Sequence, residues 1–263
     1  MIVDARPGAN GFIAFDAVKK APADGHDLLL VANSHMAINP ALFKKLPYDP
    51  QRDYAPVVLL FRNYFFFVVA ANGPYQSVPA LIAAARASPG TLSYGTPYIG
   101  SPPHLGSATF EFLTRTKMNH VPFKDTTQIF ISVANGDLTW AFGSAGSTAP
   151  IAKTGRLRLL AIGAPSRLPT HPDVPTLAEA GGPAELVVDA WSGLVVPRAT
   201  PDAVVRKINA DIVKQLGEPD ILERLRVLGF DAAPTTPEGF AELIRSDGKR
   251  LGEVIRRIGA SVE

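Results

Sequence analysis

One segment carries the clearest structural signal in the chain: Leu92-Ser93-Tyr94-Gly95-Thr96-Pro97-Tyr98-Ile99-Gly100-Ser101-Pro102-Pro103-His104-Leu105. It predicts the end of a strand, a loop rich in Gly and Pro, and the first turn of a helix. Ser101 is placed to cap this helix, and Pro102 follows where a missing N–H group costs nothing. Because backbone N–H groups and the helix dipole favour an anion there, the segment is a candidate cradle for a carboxylate. An ordinary strand-to-helix connection is the alternative.

The composition is that of a folded protein large enough for two cores. A chain of 263 residues is long for one core, and two α/β lobes of about 100–150 residues each would be usual. Hydrophobic residues at 46% and charged residues at 19% are typical of a globular protein. The net charge of +2, with Lys and Arg scattered, argues against a nucleic-acid partner. The absence of Cys excludes disulfides and a Cys nucleophile, and no apolar run is long enough for membrane insertion.

Strand and helix signals alternate through the first two thirds of the chain. Residues 1–5, 28–31, 57–60 and 65–70 are short apolar runs that predict separate strands. Such regular alternation predicts an α/β fold with a mostly parallel sheet and covering helices.

The last third is dominated by amphipathic helices, one of them capped by Thr236. These helices are too amphipathic to stand alone, so we expect them to pack back on an earlier lobe. Lobe 1 would comprise residues 1–93 and 195–263, and lobe 2 residues 94–194.

The sequence lacks the familiar motifs of enzymes. Gly95 and Gly100 imitate the spacing of a phosphate-binding loop, but Ser101-Pro102 stands where Lys-Ser or Lys-Thr would be required. No Gly-x-Ser-x-Gly nucleophile elbow occurs, and the five histidines lack the spacing of metal ligands. We therefore expect no enzyme activity, catalytic residue, metal site or cofactor. A hydrolase or isomerase whose site leaves no sequence signal is the alternative.

Several short motifs occur in a fixed order along the whole chain. They are residues 4–11 (Asp-Ala-Arg-Pro-Gly-Ala-Asn-Gly), 47–50 (Pro-Tyr-Asp-Pro), 53–57 (Asp-Tyr-Ala-Pro-Val), 101–105 (Ser-Pro-Pro-His-Leu), 120–124 (His-Val-Pro-Phe-Lys), 172–176 (Pro-Asp-Val-Pro-Thr), 179–181 (Glu-Ala-Gly) and 191–193 (Trp-Ser-Gly). Each motif is weak alone. Together they resemble the Bug/TctC family, the periplasmic solute-binding proteins of tripartite tricarboxylate transporters.

The resemblance implies a two-lobed, Venus-flytrap fold of the type II periplasmic binding proteins. It implies that a small carboxylate is captured in a cleft between the lobes and delivered to the membrane permease subunits of a tripartite transporter. It also implies a periplasmic location. A ligand-sensing protein of a signalling system, built on the same fold, is the alternative function.

The sequence departs from the family pattern at three places. Family members carry a signal peptide, a first strand and a glycine-rich loop before the Arg-Pro-Gly motif, and this chain begins close to that motif. Either the recorded start lies too far downstream, or the chain is a shortened copy. The aspartate usual after Phe142 is Gly143, which argues against an amino-acid ligand. The glycine usual after Lys124 is Asp125, which alters that turn.

Carried over by position, the resemblance implies a ligand pocket drawn from three loops. Its expected residues are Ser34, His35, Thr96, Gly100, Ser101, Gly143, Ser144 and Ser147. Structural alternatives remain open, since Ser34 suits a helix cap and His35 a solvent-exposed position. Ser144 and Ser147 likewise suit the cap of the helix that follows them. His104 is expected to brace the central loop, and Trp191 to lie in the hinge or the core.

The missing first strand predicts a specific weakness. Residues 1–5 and 28–31 would be left bare, and exposed apolar strand edges recruit other chains. We therefore expect the chain to self-associate. We also expect at least about tenfold weaker ligand binding than in a form extended upstream, since each lost hydrogen bond is worth about 1 kcal/mol.

Overall fold

The computed structural model describes residues 2–262, so Met1 and Glu263 lie outside the described residues. The chain folds into two compact units. Unit 1 comprises Met1–Arg62 and Trp191–Glu263, and unit 2 comprises Asn63–Ala190.

Helices and strands alternate along most of the chain. The α-helices are α1 (Phe12–Lys19), α2 (Asn39–Leu42), α3 (Val78–Ala87), α4 (Pro102–Thr114), α5 (Thr126–Asn135), α6 (Ala145–Ala152), α7 (Asp202–Leu216), α8 (Pro219–Val227) and α9 (Pro237–Ile258). A π-helical segment, Ser34–Ile38, leads directly into α2. The strands are β1 (Leu29–Ala32), β2 (Tyr54–Ala70), β3 (Ser93–Thr96), β4 (Asn119–Pro122), β5 (Trp140–Ser144), β6 (Leu157–Ile162), β7 (Asp189–Pro197) and β8 (Asp231–Ala232).

In unit 1 the strands follow the order β1–β7–β2–β8. β1 is antiparallel to β7, and β8 is antiparallel to the first part of β2. α9 packs on the π-helical segment and on α2, so the prediction that the C-terminal helices return to the first lobe is confirmed. They return because α9 carries an apolar stripe, including Phe240, Ile244 and Ile255, that is buried in this unit.

The sequence predicts an opening strand at residues 1–5, and the described residues of this segment do not form one. Residues 2–7 form no strand, and the side chains of Ile2 and Val3 are 93% and 85% exposed. Met1 lies outside the described residues. β1 is the edge strand of its sheet, and Leu30 on it is exposed. The apolar pattern of residues 2–5 is that of a strand, but a strand also needs a neighbour for its backbone groups.

In unit 2 the strands follow the order β6–β2–β5–β3–β4. β2 is antiparallel to β5 and β6, whereas β3 is parallel to β4 and β5. The prediction of a mostly parallel sheet is therefore wrong, and the sheet is mixed. Alternation of strands and helices does not fix the direction of a strand that comes from another unit. β2 is such a strand, since it begins in unit 1 and continues into unit 2.

β2 also replaces the two separate strands predicted at residues 57–60 and 65–70. It runs unbroken for 17 residues. The polar pair Arg62 and Asn63 interrupts the apolar pattern where the strand passes from unit 1 to unit 2, and no turn occurs there. β7 similarly joins the two runs on either side of Trp191 into one strand.

The first division between the units falls between Arg62 and Asn63, whereas the sequence placed it after residue 93. α3 belongs to unit 2 because Val78 and Leu81 share a buried cluster with Phe67 and Tyr94 of that sheet. The second division, between Ala190 and Trp191, falls in the predicted crossing region. Trp191 itself is buried in unit 1, where its indole N–H donates to an Asp247 carboxylate oxygen at 2.7 Å.

Close packing of α9 on β7 requires a glycine at position 193, and Gly193→Ala is expected to destabilise unit 1. A Cβ there would lie 2.4 Å from Phe240 Cζ and 2.6 Å from the Val58 carbonyl oxygen. Overpacking a core typically costs about 1–3 kcal/mol. Scanning calorimetry should therefore show a melting temperature several degrees lower.

Gly248→Ala in α9 is the matched control, since a Cβ at Gly248 meets nothing within 4 Å. It should leave the melting temperature unchanged or raise it, because Ala is favoured over Gly in helices by about 1 kcal/mol. Equal melting temperatures for the two variants would contradict this account of the packing.

Candidate functional site

The candidate site of unit 2 lies at one edge of its sheet. β3 is parallel to β4 and β5, so Thr96, Pro122 and Ser144 end these strands on the same side. Each strand is followed by a helix, and the starts of α4, α5 and α6 therefore share this edge. Crevices outside the carboxyl ends of parallel strands are the usual ligand sites of α/β sheets. The three helix starts differ, however, in which donors remain open.

The start of α4 has its N–H groups already committed. Pro102 and Pro103 have none, and the His104 N–H donates to Ser101 Oγ at 3.3 Å. The Ser101 N–H donates to the Tyr98 carbonyl, and the Gly100 N–H donates to His104 Nδ1 at 3.0 Å. Ser101 is the predicted helix cap. The carboxylate cradle predicted at this helix start therefore has no open N–H from Gly100 to His104.

The loop before α4 is a tight turn with an exposed tip. The Ser101 N–H to Tyr98 O bond closes four residues, and Gly100 at the third position has a φ of 83°, as a type II turn requires. Tyr98 and Ile99 are about half exposed, at 53% and 46%. Their N–H groups have no acceptor among the described residues, so the open donors of this loop lie at its tip.

Two stacked histidines hold this loop from inside. The rings of His104 and His120 lie 4.3 Å apart at 27°, and His120 Nε2 is 2.6 Å from Thr96 Oγ1. Thr96 and Ser101 are fully buried. His104 is thus confirmed as a brace, and the polar groups of Thr96, Gly100 and Ser101 are bonded within the protein. Direct ligand contact by these three residues stays a prediction.

Both histidines are held neutral by their surroundings. Burial, with His120 close by, lowers the pKa of His104 to about 4. Burial also lowers the pKa of His120. Because His104 Nδ1 accepts the Gly100 N–H, the neutral ring must carry its proton on Nε2. A protonated Nδ1 would oppose the Gly100 N–H and would place a charge against the His120 ring.

The start of α6 is the open helix terminus. Ser144 caps it, since its Oγ accepts the Ser147 N–H at 3.3 Å and lies 2.9 Å from Ser147 Oγ. The capping interpretation is confirmed for Ser144, whereas Ser147 lies within α6. Ligand contact by either residue stays a prediction. The N–H groups of Ala145 and Gly146 have no acceptor among the described residues. Gly146 is exposed, so these N–H groups and the positive end of the helix dipole are accessible to an anion.

The start of α5 is unsuitable for an anion. The carboxylate of Asp125 caps it by accepting the Thr127 N–H at 2.8 Å. This negative charge stands where an anionic ligand would otherwise benefit from the helix dipole. Of the three helix starts, only α6 combines open N–H groups with the absence of a capping carboxylate.

A side chain at position 143 would point into the core. A Cβ at this position would lie 2.4 Å from Thr148 Cγ2 and 2.5 Å from Phe130 Cζ. The aromatic ring of Phe130 thus occupies the space that the Cβ of an aspartate at position 143 would need. Position 143 supplies the close packing of β5 against α5 and α6, and its ligand contact stays a prediction.

Ser34 and His35 belong to unit 1. His35 Nδ1 accepts the Ala32 N–H at 3.2 Å, and its ring lies 5.3 Å from that of Phe15. His35 is thus partly buried, unlike the alternative of a solvent-exposed histidine, and burial lowers its pKa. Its Nε2 approaches Gly11, where a Cβ would be 3.1 Å away. Ser34 begins the π-helical segment, whose cap position is Asn33, so Ser34 is not the cap.

Similar proteins have been described. The chain is 33% identical over 255 residues to a UPF0065 protein from the tcbD-tcbE intergenic region of Pseudomonas sp. strain P51, covering 97% of this chain and 76% of that protein. The structure of R. palustris Rpa4515 with adipate has a TM-score of 0.84 and 28% identity, covering 99% of this chain and 87% of that one. The structure of MatC (Rpa3494) from Rhodopseudomonas palustris with bound malate has a TM-score of 0.75 and 28% identity, covering 94% of this chain and 85% of that one.

The fold is the α/β fold of the two-lobed periplasmic binding proteins, as predicted. The chain belongs to the TctC family, the tripartite tricarboxylate transporter family receptors, whose sequence profile matches residues 1–260. This is a family of solute-binding receptors rather than enzymes. In residues 2–262 no helix is long and apolar enough to cross a membrane. Those residues also contain no group of three His, Asp or Glu side chains able to hold a metal ion.

The histidine pair makes stability depend on pH. The pKa of His104 falls from 6.5 to about 4 on folding, so the unfolded chain binds more protons between these values. The contribution of neutral His104 to the free energy of unfolding is complete above pH 6.5 and is lost as the pH falls towards about 4. His104→Asn keeps an acceptor near the position of Nδ1 and cannot titrate. Between pH 6.5 and about 4 we expect this variant to lose less stability than the unaltered chain, by about 1 kcal/mol or more, as measured by unfolding calorimetry.

His26→Asn is the control, because His26 is exposed on unit 1. It should reproduce the pH dependence of the unaltered chain. His104→Leu removes the acceptor, and amide hydrogen exchange at Gly100 should then quicken by about tenfold or more. Unchanged Gly100 exchange in this variant would contradict the bracing role.

Gly143→Asp tests whether the residue usual in the family fits this chain. The new carboxylate would start against Phe130 and Thr148, so we expect a loss of stability of about 2 kcal/mol or more. Isothermal titration should show no gain of glutamate or aspartate binding. A stable variant that binds an amino acid would place position 143 in the pocket instead.

Proposed function

We propose that this protein is a periplasmic receptor that binds a small mono- or dicarboxylate and delivers it to the permease of a tripartite transporter. The observation that carries the proposal is the open start of α6, where the N–H groups of Ala145 and Gly146 are accessible and no carboxylate caps the helix. Neutral donors of this kind bind a carboxylate directly or through water.

The charges around the open donors support a carboxylate over a zwitterion. The loops 97–101 and 143–147 contain no acidic side chain, and the carboxylate of Asp125 at the same edge already caps α5. The two loops therefore offer an ammonium group no anionic partner of their own. They also contain no Lys or Arg, which leaves backbone amides and the helix dipole to bind the anion. The similar structures with adipate and malate bear dicarboxylates, which agrees with this chemistry.

The tip of the β3–α4 loop supplies a second set of donors in the same unit. The N–H groups of Tyr98 and Ile99 are open, and the buried histidine pair fixes the turn that presents them. Binding by a preorganised set of donors avoids the entropic cost of ordering a loop. The contribution of Ser34 and His35, which belong to unit 1, stays a prediction.

Ala145→Pro tests the proposal by deleting one N–H group at the first position of α6. Proline is well tolerated at this position, so the fold should persist. We expect isothermal titration to show adipate and malate binding to the unaltered chain, with no binding of glucose or glutamate. The variant should bind the acids about tenfold more weakly, because a hydrogen bond to a charged group is worth about 1.5–3 kcal/mol.

Thr126→Pro at the first position of α5 is the matched control. It makes the same chemical change at the same sheet edge, where Asp125 already occupies the helix start. Its carboxylate affinity should be unchanged. Glucose binding without any acid binding, or equal losses in both proline variants, would overturn the proposed site. For the permease, uptake of the bound acid should be lost on gene deletion and restored by Thr126→Pro but not by Ala145→Pro.

A further inference from the structure

Unit 1 contains a surface groove of about 750 Å³ that the carboxylate site does not use. Its walls come from the π-helical segment with α2, from the connection at residues 46–52, and from α9. All of these belong to unit 1, whereas the open donors at Ala145 and Gly146 belong to unit 2. The groove is therefore a separate feature of the molecule.

The floor of the groove is apolar and tightly built. Met36, Ala37 and Tyr48 line it, and each is only 1–5% exposed. The Tyr48 hydroxyl is not open to a ligand, since it donates to the His35 carbonyl at 2.6 Å. Gly248 of α9 leaves the groove open, because a Cβ there would meet nothing within 4 Å. Ala41 and Leu46 also line the groove and are partly exposed, so they are the apolar side chains that an occupant would contact.

The rim of the groove is strongly basic. Arg52, Arg245, Lys249 and Arg256 line it, and Asp49 is the one carboxylate among the lining residues. Asp49 Oδ1 is already committed to the N–H groups of its own turn, at Gln51 and Arg52.

Much of this positive charge is unbalanced. Arg245 pairs with Glu242, and Arg52 lies 3.5 Å from an Asp53 oxygen. Lys249 and Arg256, in contrast, form no ion pair within residues 2–262. The carboxylates of an acidic occupant would neutralise the charges of Lys249 and Arg256.

The groove extends beyond its main depression. A second depression of about 210 Å³ adjoins it, sharing Pro50, Gln51, Ile244 and Arg245 as lining residues. Arg198 stands in this second depression. A small anion would fill one depression only, whereas an extended chain would occupy both. The length and the apolar floor therefore favour a polypeptide segment over a free acid.

We propose that this basic groove docks an extended acidic segment of a partner protein. Alternate side chains of an extended strand point to opposite sides, so one set would contact the apolar floor while acidic neighbours reach the cationic rim. Lys249 and Arg256 would pair with its carboxylates, and the partly exposed Ala41 and Leu46 would receive its apolar side chains. The proposal does not depend on which solute unit 2 binds.

The test uses the full chain and a short fluorescein-labelled peptide in which glutamate alternates with leucine. Fluorescence anisotropy should show saturable binding that weakens as salt is raised, because exposed charge pairs are screened. A peptide with glutamine in place of glutamate should bind at least about tenfold more weakly. Binding of both peptides with equal affinity, or of neither, would overturn the proposal.

Two groove variants locate the binding. Lys249→Glu with Arg256→Glu should weaken peptide binding by at least about tenfold through charge reversal. Gly248→Leu should weaken it similarly by filling the groove, with no loss of melting temperature, because the site is open and helical. The matched control is Lys214→Glu with Arg224→Glu, which makes the same charge change on exposed positions of α7 and α8.

The control variant should bind the peptide as the unaltered chain does. An equal loss in the control would show that net charge, not the groove, attracts the peptide and would overturn the proposal. Displacement of the peptide by citrate at matched carboxylate concentration would assign the groove to a small anion instead. Peptide binding unaffected by Gly248→Leu, or groove-dependent binding to phosphatidylglycerol vesicles in place of the peptide, would also overturn it.

Discussion

The strand β2 is the element on which the rest of the structure depends, because each unit builds its sheet on one part of it. In unit 2 its side chains alternate between two buried clusters, Phe67 and Val69 in one and Phe66 and Val68 in the other. Burial on both faces demands a continuous apolar run. The pairing of Phe65 with Ser144 then fixes where β5 ends and α6 begins. The position of the open donors in unit 2 thus follows from the register of a strand far away in the sequence.

Three helices begin at one sheet edge, yet local sequence gives their starts different chemistry. Two prolines remove N–H groups from α4, and Asp125 places a charge on α5, whereas small residues leave α6 open. The helix dipole is common to all three, so it cannot by itself select an anion site. Selection comes from which N–H groups the cap and its neighbours have already taken.

The two units offer an anion different kinds of contact. In unit 2 the donors are neutral and are held by buried groups, including a histidine that must stay uncharged to accept a backbone N–H. In unit 1 the groove is lined by exposed cations over an apolar floor. Fixed neutral donors favour one geometry of a small ligand. Exposed surface cations recognise charge more than shape and are screened by salt, which is the kind of contact that we propose for an extended polypeptide.

The sequence by itself determined most of the helices and strands and their order, the caps at Ser101 and Thr236, the bracing role of His104 and membership of the family. The expected opening strand is absent from residues 2–7, and the two strands expected within residues 57–70 are one. These signals are local, since a cap or an apolar period is complete within a turn or two of chain. Only the tertiary structure decided that β2 is one strand, that the sheet is mixed, and which N–H groups of the loops remain open. Those properties depend on pairing between residues distant in sequence, such as Phe65 with Ser144, and no local pattern records the partner.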